Sequence, residues 1–228
     1  MTMPILSILA NEADFLLVDK PPGLPCHRDG GEEGVLDVVR RQTGLPDLHL
    51  VHRLDQSTSG LLLLARGADA AAALGERFAS HTMQKYYLAI SDRIPKKKQG
   101  TVVGDMAASR NGSWKLLPTR NNPAVTQFFT AGTGEGGRLF LAKPLSGRTH
   151  QIRVALKSLG SPILGDSRYG GGAADRCYLH AYALAFELGG RSYSFRCPPS
   201  VGEYWQKPGI VTALNKFDVP WSLYWPRA

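Results

Sequence analysis

The sequence predicts an α+β protein built on a mixed sheet with a few helices. Most of its regular patterns are short apolar or alternating segments, which are typical of strands. The strand and helix patterns do not follow a regular βαβ alternation, which argues against a doubly wound fold. Hydrophobic residues make up 43% of the 228 positions, enough for one substantial core or two small ones.

The strand patterns occur along most of the chain. We predict strands over Phe15 to Val18, Leu48 to Val51, Leu61 to Ala65, Tyr86 to Ile90, Val125 to Thr130, Arg138 to Ala142, Leu179 to Phe186 and Tyr193 to Arg196. The Ala-rich segment Asp69 to Ser80 predicts a helix with an acidic residue near its start. No composition break marks a second domain, so we expect a single domain over residues 1–228.

A second helix is predicted over Thr149 to Leu159. Thr149 is a candidate cap, and Ile152, Leu156 and Leu159 recur at helical spacing to form a buried stripe. Gly160 is suited to end the helix in the left-handed conformation. Arg153 lies off this stripe, which in one interpretation leaves it on a solvent face beside Lys157.

Composition also bounds the location of the protein. No apolar run approaches the ~20 residues needed to cross a bilayer. The segment from Met1 to Ala10 has no basic residue ahead of its few apolar ones, which argues against a secretory signal. The three cysteines are scattered and odd in number, which indicates reduced thiols. We therefore expect a cytoplasmic protein.

The net charge of +8 is concentrated in one part of the chain. Residues 77–157 hold 14 basic and 3 acidic side chains, a net charge of +11, whereas residues 1–76 hold 6 basic and 11 acidic ones, a net charge of −5. A concentrated positive field attracts polyanions by releasing counterions from phosphates. Nucleic acid is the expected partner, and a merely soluble basic surface is the alternative.

The stretch from His52 to Ala65 contains the strongest candidate for a catalytic residue. Asp55 lies in a turn-forming segment, Gln56 to Gly60, that enters the apolar run Leu61 to Leu64. A carboxylate on a loop braced by a buried strand is a common arrangement for catalysis. In the alternative interpretation Asp55 only caps the turn through its own backbone.

This stretch closely resembles the second motif of the RluA-type RNA pseudouridine synthases, in which the Asp is the catalytic residue. Four other segments resemble motifs of the same family in the expected order, and the match runs from about residue 14 to about residue 197. These segments are Leu17 to His27 with its Lys-Pro-Pro-Gly sequence, Lys85 to Ala89, Gly147 to Val154 followed by Gly160 to Asp166 and Tyr169-Gly170, and Leu179 to Phe186.

The resemblance implies the pseudouridine synthase fold, a long, bent, mainly antiparallel mixed sheet with flanking helices and a central active-site cleft. It also implies a stand-alone catalytic domain, because the chain has no room before Phe15 for the S4-type RNA-binding domain common in the family. The implied reaction isomerises uridine to pseudouridine and needs no cofactor. We expect structured RNA, either tRNA or ribosomal RNA, as the substrate of a monomeric enzyme.

The resemblance assigns roles to particular residues. Asp55 is the catalytic carboxylate, Arg153 forms an ion pair with it, and Tyr87 stacks on the target base and acts in deprotonation at C5. Arg53 is similar to an arginine that fills the space of the flipped nucleotide. The carboxylate could attack C1′, add to the ring or remove the C2′ proton, and the resemblance favours this last route, through a glycal.

Further residues are candidates for RNA binding. We assign this role to His52, to Arg148 and to the tri-lysine Lys96, Lys97 and Lys98; a structural hydrogen bond is the alternative for His52, and a plain solvated loop for the lysines. Aromatic residues near the C-terminus, Trp221, Tyr224 and Trp225, could stack on RNA bases or anchor the tail to the body of the protein.

Two other classes of function are considered. A non-catalytic RNA-binding module or an RNA chaperone would share the basic segment without needing the Asp55 motif. A metal-dependent RNA hydrolase would need clustered carboxylates or histidines, and we expect no metal site. Zinc-type ligands are present at His150, Cys177, His180 and Cys197, but their spacing lacks two close pairs.

Overall fold

A computed structural model describes residues 5–28, 30–134 and 136–227. The strands are β1 (Ser7–Asn11), β2 (Phe15–Lys20), β3 (Leu48–Leu50), β4 (Ser59–Arg66), β5 (Gln84–Ser91), β6 (Gln99–Ala108), β7 (Trp114–Leu117), β8 (Ala124–Gly132), β9 (Arg138–Pro144), β10 (Leu179–Leu188) and β11 (Arg191–Arg196). The helices are α1 (Val35–Thr43), α2 (Ala68–Ala79), α3 (Gln151–Ser158) and α4 (Pro208–Leu214), with short 3₁₀ turns between elements.

The chain forms two compact units, the first from residues 1–83 and 181–198 and the second from residues 84–180 and 199–228. In the first unit β2 lies between β1 and β4, with Phe15 opposite Ala65 and Lys20 opposite Gly60. Strands β2 and β4 are buried along nearly their whole length, as their unbroken apolar runs predict.

An aromatic cluster forms part of the first unit's core. Phe15 of β2 makes edge contacts with Phe186 of β10 and with Tyr193 and Phe195 of β11, at centroid distances of 5.1 to 6.0 Å. Edge-to-face packing of this kind adds to the stabilisation from burial alone. It fixes the β10–β11 hairpin against the strand that precedes the loop at residues 20–26.

The second unit is an antiparallel sheet in the order β5, β9, β8, β6, β7. Helix α3 packs against β7, β8 and β9, and α4 packs against β8 and β9. Buried apolar residues line both faces of the sheet: Tyr86, Leu88, Leu139 and Leu141 share one face, and Phe128 and Phe140 lie on the other.

The C-terminal segment also packs onto this unit. Trp225 lies 5.0 Å from Phe129 and 5.6 Å from Tyr86, between ring centroids. The Lys143 ammonium lies 5.5 Å from both the Trp225 and the Tyr86 rings, at cation–π distance. The Gln127 amide donates to the Pro226 carbonyl. Trp225 therefore anchors the tail, whereas Tyr224 is 96% exposed.

The α+β class and the mainly antiparallel sheet are confirmed, and all eight predicted strands coincide with observed ones to within a few residues. The predicted strand at 48–51 ends one residue earlier, and the helix predicted over Asp69 to Ser80 is α2. The sequence patterns missed five elements: β1, β6, β7, α1 and α4.

The start of the second predicted helix is wrong in detail. Thr149 does not cap α3; the cap position is His150, which adopts a left-handed φ of 58° and makes no capping bond through its side chain. Gly160 has the expected positive φ of 75°. Residues 151–156 are all buried. Arg153 is only 6% exposed, so it does not lie on a solvent face.

Candidate active site

Asp55 lies in the first unit, in the loop between β3 and β4. Leu54 before it is buried, Asp55 itself is half-buried, and Arg53 is exposed. The Thr58 N–H donates to the Asp55 carbonyl at 3.0 Å, which closes a turn directly after the aspartate. The loop thus presents one carboxylate at the border between the apolar strand and solvent.

The loop at residues 20–26 braces the Asp55 loop through the peptide of Gln56. The carbonyl of Gln56 accepts from the Lys20 ammonium at 3.0 Å and from the Gly23 N–H at 2.8 Å. The Gln56 side-chain amide donates back to the Gly23 carbonyl at 3.0 Å. The residue after Asp55 is therefore held on both its backbone and its side chain.

Lys20 is fully buried, and its ammonium also donates to the carbonyls of Pro21 at 2.9 Å and Leu24 at 2.7 Å. A buried cation is costly unless hydrogen bonds replace its hydration. The three carbonyl acceptors supply such bonds. Because two of them lie in the loop at 20–26 and one in the Asp55 loop, the Lys20 ammonium links the two loops. Lys20 lies within the Leu17 to His27 motif, but its local sequence pattern predicts no role for it.

Cys26 makes a second link between the loops, on the other side of Asp55. Its sulfur accepts from the Leu54 N–H and donates to the Leu54 carbonyl, both at 3.4 Å. Burial raises the pKa of the Cys26 thiol above its ordinary value, against the opposing effect of the Leu54 hydrogen bond. The thiol is therefore a neutral structural group next to the catalytic candidate.

His52 makes structural contacts within the first unit. Its Nε2 accepts from the Leu63 N–H at 2.9 Å, and its ring stacks on Phe78 of α2 with 4.4 Å between centroids. These contacts favour the structural alternative for His52, and its RNA-binding role stays a prediction. The exposed Arg53 is accessible to a ligand, as its predicted role requires.

In the second unit, Arg153 on α3 binds the carboxylate of Asp166. Its Nε and one terminal nitrogen donate at 2.7 and 2.8 Å, and the two side chains are only 7% and 2% exposed. The guanidinium also lies 5.0 Å from the centroid of the Tyr169 ring. This bidentate pair fixes the orientation of Arg153. The predicted ion pair between Arg153 and Asp55 stays a prediction.

Sequence reasoning missed the role of Asp166, although it quoted the residue within the third motif. A signal was available, because an acidic residue in the apolar and Gly-rich segment 160–166 requires a cationic partner if it is buried. Arg153 is the partner that the structure supplies.

Gln151 fixes the loop that carries Arg148. Its side-chain oxygen accepts from the Ser146 hydroxyl at 2.8 Å and from the Arg148 N–H at 3.0 Å. Its amide group donates to the Val125 carbonyl and to the Thr126 hydroxyl, both at 3.0 Å. All four bonds are made by a side chain that is 5% exposed, so the turn before α3 is rigid. Arg148 itself is exposed.

Tyr87 lies on β5, where it alternates with Tyr86. Tyr86 is fully buried against the C-terminal tail, and burial raises its pKa to about 12. Tyr86 is thus a core-packing residue. Tyr87 and Lys85 share the other face of the strand and are half-buried, and burial lowers the pKa of Lys85.

The three lysines at 96–98 are exposed in the loop before β6. They belong to the second unit, which carries a net charge of +11, whereas the first unit carries −3. The positive field predicted from the sequence is therefore a property of one unit. Within the described ranges no group of three or more His, Cys, Asp or Glu side chains could hold a metal ion. In the same residues no helix is long and apolar enough to span a membrane.

Residues 14–158 match the family model described as RNA pseudouridylate synthase. The chain is similar to an RNA pseudouridine synthase of Haemophilus influenzae, with 45% identity covering 93% of this chain and 96% of that protein. It is also similar to ribosomal large subunit pseudouridine synthase C of Pasteurella multocida, with 34% identity covering 79% of this chain and 60% of that one. Among solved structures, human RNA Pseudouridylate Synthase Domain Containing 1 superposes with a TM-score of 0.75 at 25% identity, covering 87% of this chain and 85% of that one.

Proposed function

We propose that Asp55 is the catalytic residue of this protein. The chain belongs to the RNA pseudouridylate synthase family and therefore isomerises uridine to pseudouridine in RNA. The isomerisation breaks the N1–C1′ bond of uridine and joins C1′ to C5 of the same base. Atoms balance without a second substrate, because the proton lost from C5 is matched by one gained at N1. A positioned carboxylate can serve as the nucleophile or the base that this requires.

The observation that carries this proposal is the double bracing of the Asp55 loop. Leu54 is hydrogen-bonded to Cys26, and Gln56 is hydrogen-bonded to Lys20 and Gly23. Both neighbours of Asp55 are therefore fixed to the loop at 20–26. Reacting groups must be held to within a fraction of an ångström for efficient catalysis. A carboxylate that only closed a turn would not need such support on both sides.

Three further residues are proposed to serve the same reaction. Arg153, whose guanidinium is oriented by Asp166, would stabilise the Asp55 carboxylate, and Tyr87 would stack on the uracil and assist deprotonation at C5. Arg53 would fill the space that the flipped nucleotide leaves, since an enzyme that acts on a base must take it out of the stack. We favour the glycal route, in which Asp55 removes the C2′ proton as the N1–C1′ bond breaks and returns it to C2′ when C5 joins C1′.

The proposed substrate is structured RNA, with ribosomal RNA favoured over tRNA. The support for this preference is the name of the Pasteurella relative, which specifies the large ribosomal subunit. The +11 charge of the second unit would supply sequence-independent affinity for phosphates. We further propose that the protein acts as a monomer and without a metal ion.

The test is Asp55→Asn, which keeps the size of the side chain and removes its charge. Pseudouridine would be detected by carbodiimide labelling and primer extension on bulk RNA from a deletion strain, with excess EDTA present. Formation should fall at least about 100-fold, the usual scale of acid–base contributions, while binding of RNA persists. Asp14→Asn, which removes an exposed carboxylate from the same unit, is the matched control and should modify RNA normally.

Wild-type modification by Asp55→Asn would refute the proposal and favour the alternative of a non-catalytic RNA-binding module. Loss of wild-type activity in EDTA, with the RNA structure shown to be intact, would instead refute the metal-free reaction.

A further inference from the structure

The second unit contains a concave pocket of about 370 Å³, and of its lining residues only Arg148 has been given a role above. Small-ligand pockets usually measure about 300 to 1,000 Å³, so its size suits one nucleotide. It is lined by residues of β6 and β7, of the turn at 119–122 and of the loop before α3, including Asp105, Met106, Trp114, Asn121, Asn122 and Arg148. We refer to it as the Trp114 pocket.

One wall of the Trp114 pocket is fixed by Asp105. Its carboxylate accepts from the N–H groups of Asn121 and Asn122 at 3.0 and 2.8 Å, and its own N–H donates to the Thr119 carbonyl at 2.8 Å. A hydrogen bond from the Thr119 hydroxyl, together with these N–H groups, lowers the pKa of Asp105. The carboxylate is therefore occupied in holding the turn, and the exposed side chain of Asn121 is carried by a rigid backbone.

The part of the lining that holds Trp114 is fixed by a chain of two hydrogen bonds. The backbone N–H of Trp114 donates to the Tyr169 hydroxyl oxygen at 2.9 Å, and that oxygen lies 2.8 Å from Nδ1 of His150. This chain ties the strand that bears Trp114 to the start of α3. The indole is only half-buried.

The chemistry of the lining indicates the ligand. An indole face stacks on any nucleobase, a primary amide can bond to a base edge, and a guanidinium binds phosphate. Arg148 contacts Asn122 and is exposed, so its charge lies at the rim of the pocket. The chain has no acidic residue from 106 to 134, a span that includes Arg110, Lys115 and Arg120. The surroundings therefore favour an anionic ligand with an aromatic ring.

We infer that the Trp114 pocket binds one unpaired nucleotide of the RNA substrate, with its base on the indole of Trp114 and its phosphate at Arg148. This rests on the proposed function, because RNA is the polyanion that the enzyme modifies. The nucleotide is not the uridine that is isomerised, since neither Asp55 nor Tyr87 is among the described residues of the lining. The pocket would thus select RNA by a base other than the one that is modified.

The experiment measures binding of single-stranded RNA octamers of one base each to the full chain carrying Asp55→Asn, so that no turnover intervenes. Adding Trp114→Ala should weaken the tightest-bound octamer roughly 5- to 150-fold, the range expected for loss of one base-stacking contact. Trp114→Phe keeps an aromatic face and should retain most of the affinity. Lys115→Gln, on the exposed opposite face of β7, should reduce binding of all octamers alike.

Kinetics on bulk RNA with Asp55 intact provide the second readout. Trp114→Ala should raise KM by a similar factor and leave kcat unchanged. Unchanged octamer affinity and KM would overturn the inference, and so would a fall in kcat alone, which indicates a structural role. If Trp114→Ala does not fold, Asn121→Asp, which places a negative charge on the exposed rim, should raise KM; normal KM in that variant would also overturn it.

These outcomes are separable from those of the proposed function. Activity of Asp55→Asn tests the catalytic role, whereas octamer binding tests the Trp114 pocket without any reaction. If Asp55→Asn remained active and octamer binding depended on Trp114, the catalytic role of Asp55 would be refuted and the nucleotide-binding role of the Trp114 pocket would be supported.

Discussion

Replacement of Lys20 by Met tests whether the buried ammonium organises the Asp55 loop. The variant keeps an unbranched side chain of similar length but removes the donor to the carbonyls of Pro21, Leu24 and Gln56. Hydrogen bonds from a charged group contribute about 1.5–3 kcal/mol each, and the burial cost of the ammonium offsets part of their sum. We expect a net loss of about 3–5 kcal/mol, as is usual when a buried charge network is broken.

That loss is large compared with the usual stability of a domain, about 5–15 kcal/mol. At about 2–4 °C per kcal/mol for a chain of this size, the melting temperature should fall by roughly 6–20 °C. Because Gln56 directly follows Asp55, kcat should also fall when it is measured at a temperature where both proteins are fully folded. Melting would be followed by circular dichroism, and activity by carbodiimide labelling.

Lys216→Met is the matched control, because Lys216 is exposed and the substitution is the same. Its effect should stay within about 0.5 kcal/mol, as for most surface changes. A Lys20→Met protein that melts within about 2 °C of the wild type would show that the ammonium does not hold the two loops together.

Three further outcomes are expected. Replacing the lysines at 96–98 together with Gln should weaken RNA binding and flatten its salt dependence by up to about 0.7–0.9 log units per lost phosphate contact; an unchanged slope would show that this loop does not contact RNA. Arg153→Lys keeps the charge but cannot keep both bonds to Asp166, so it should lower the melting temperature and reduce pseudouridine formation less than Asp55→Asn does; full activity and stability would contradict this. Burial raises the pKa values of Tyr178 and Cys197 from 10.0 and 9.0 to about 12, so the folded state keeps protons that the unfolded chain releases first. Stability to urea should thus be full below pH 9 and decline towards pH 12, and equal stability at pH 8 and 11 would contradict the cause given for these shifts.

The parts of the fold that the sequence predicts are those with strong local patterns. Strands β2 and β4 are almost continuous apolar runs, and such runs identify buried strands directly. Strand β6 was missed because it contains two glycines and several polar residues, and its regularity depends on pairing with β7 and β8. Helix α1 was missed because its buried residues are valines, which are weak helix formers.

Some features of the candidate site could likewise be predicted from local sequence, and others could not. The position of Asp55 on a supported loop follows from a local motif, so it could be predicted. The partner of Arg153 could not, because its bond to Asp166 depends on how α3 and the following loop pack together. The burial of Lys20 is also a tertiary property, since lysine is among the residues least often buried.

The packing of the C-terminal segment determines which surface the second unit shows to solvent. Trp225 covers Tyr86 and Phe129, and the carbonyl of Arg227 accepts from the Thr101 hydroxyl at 2.7 Å. Proteolytic removal of residues 220–227 would uncover an aromatic patch next to the desolvated ammonium of Lys143. Exposed apolar patches promote self-association. Nicked preparations should therefore be recognised first by aggregation, before any loss of secondary structure.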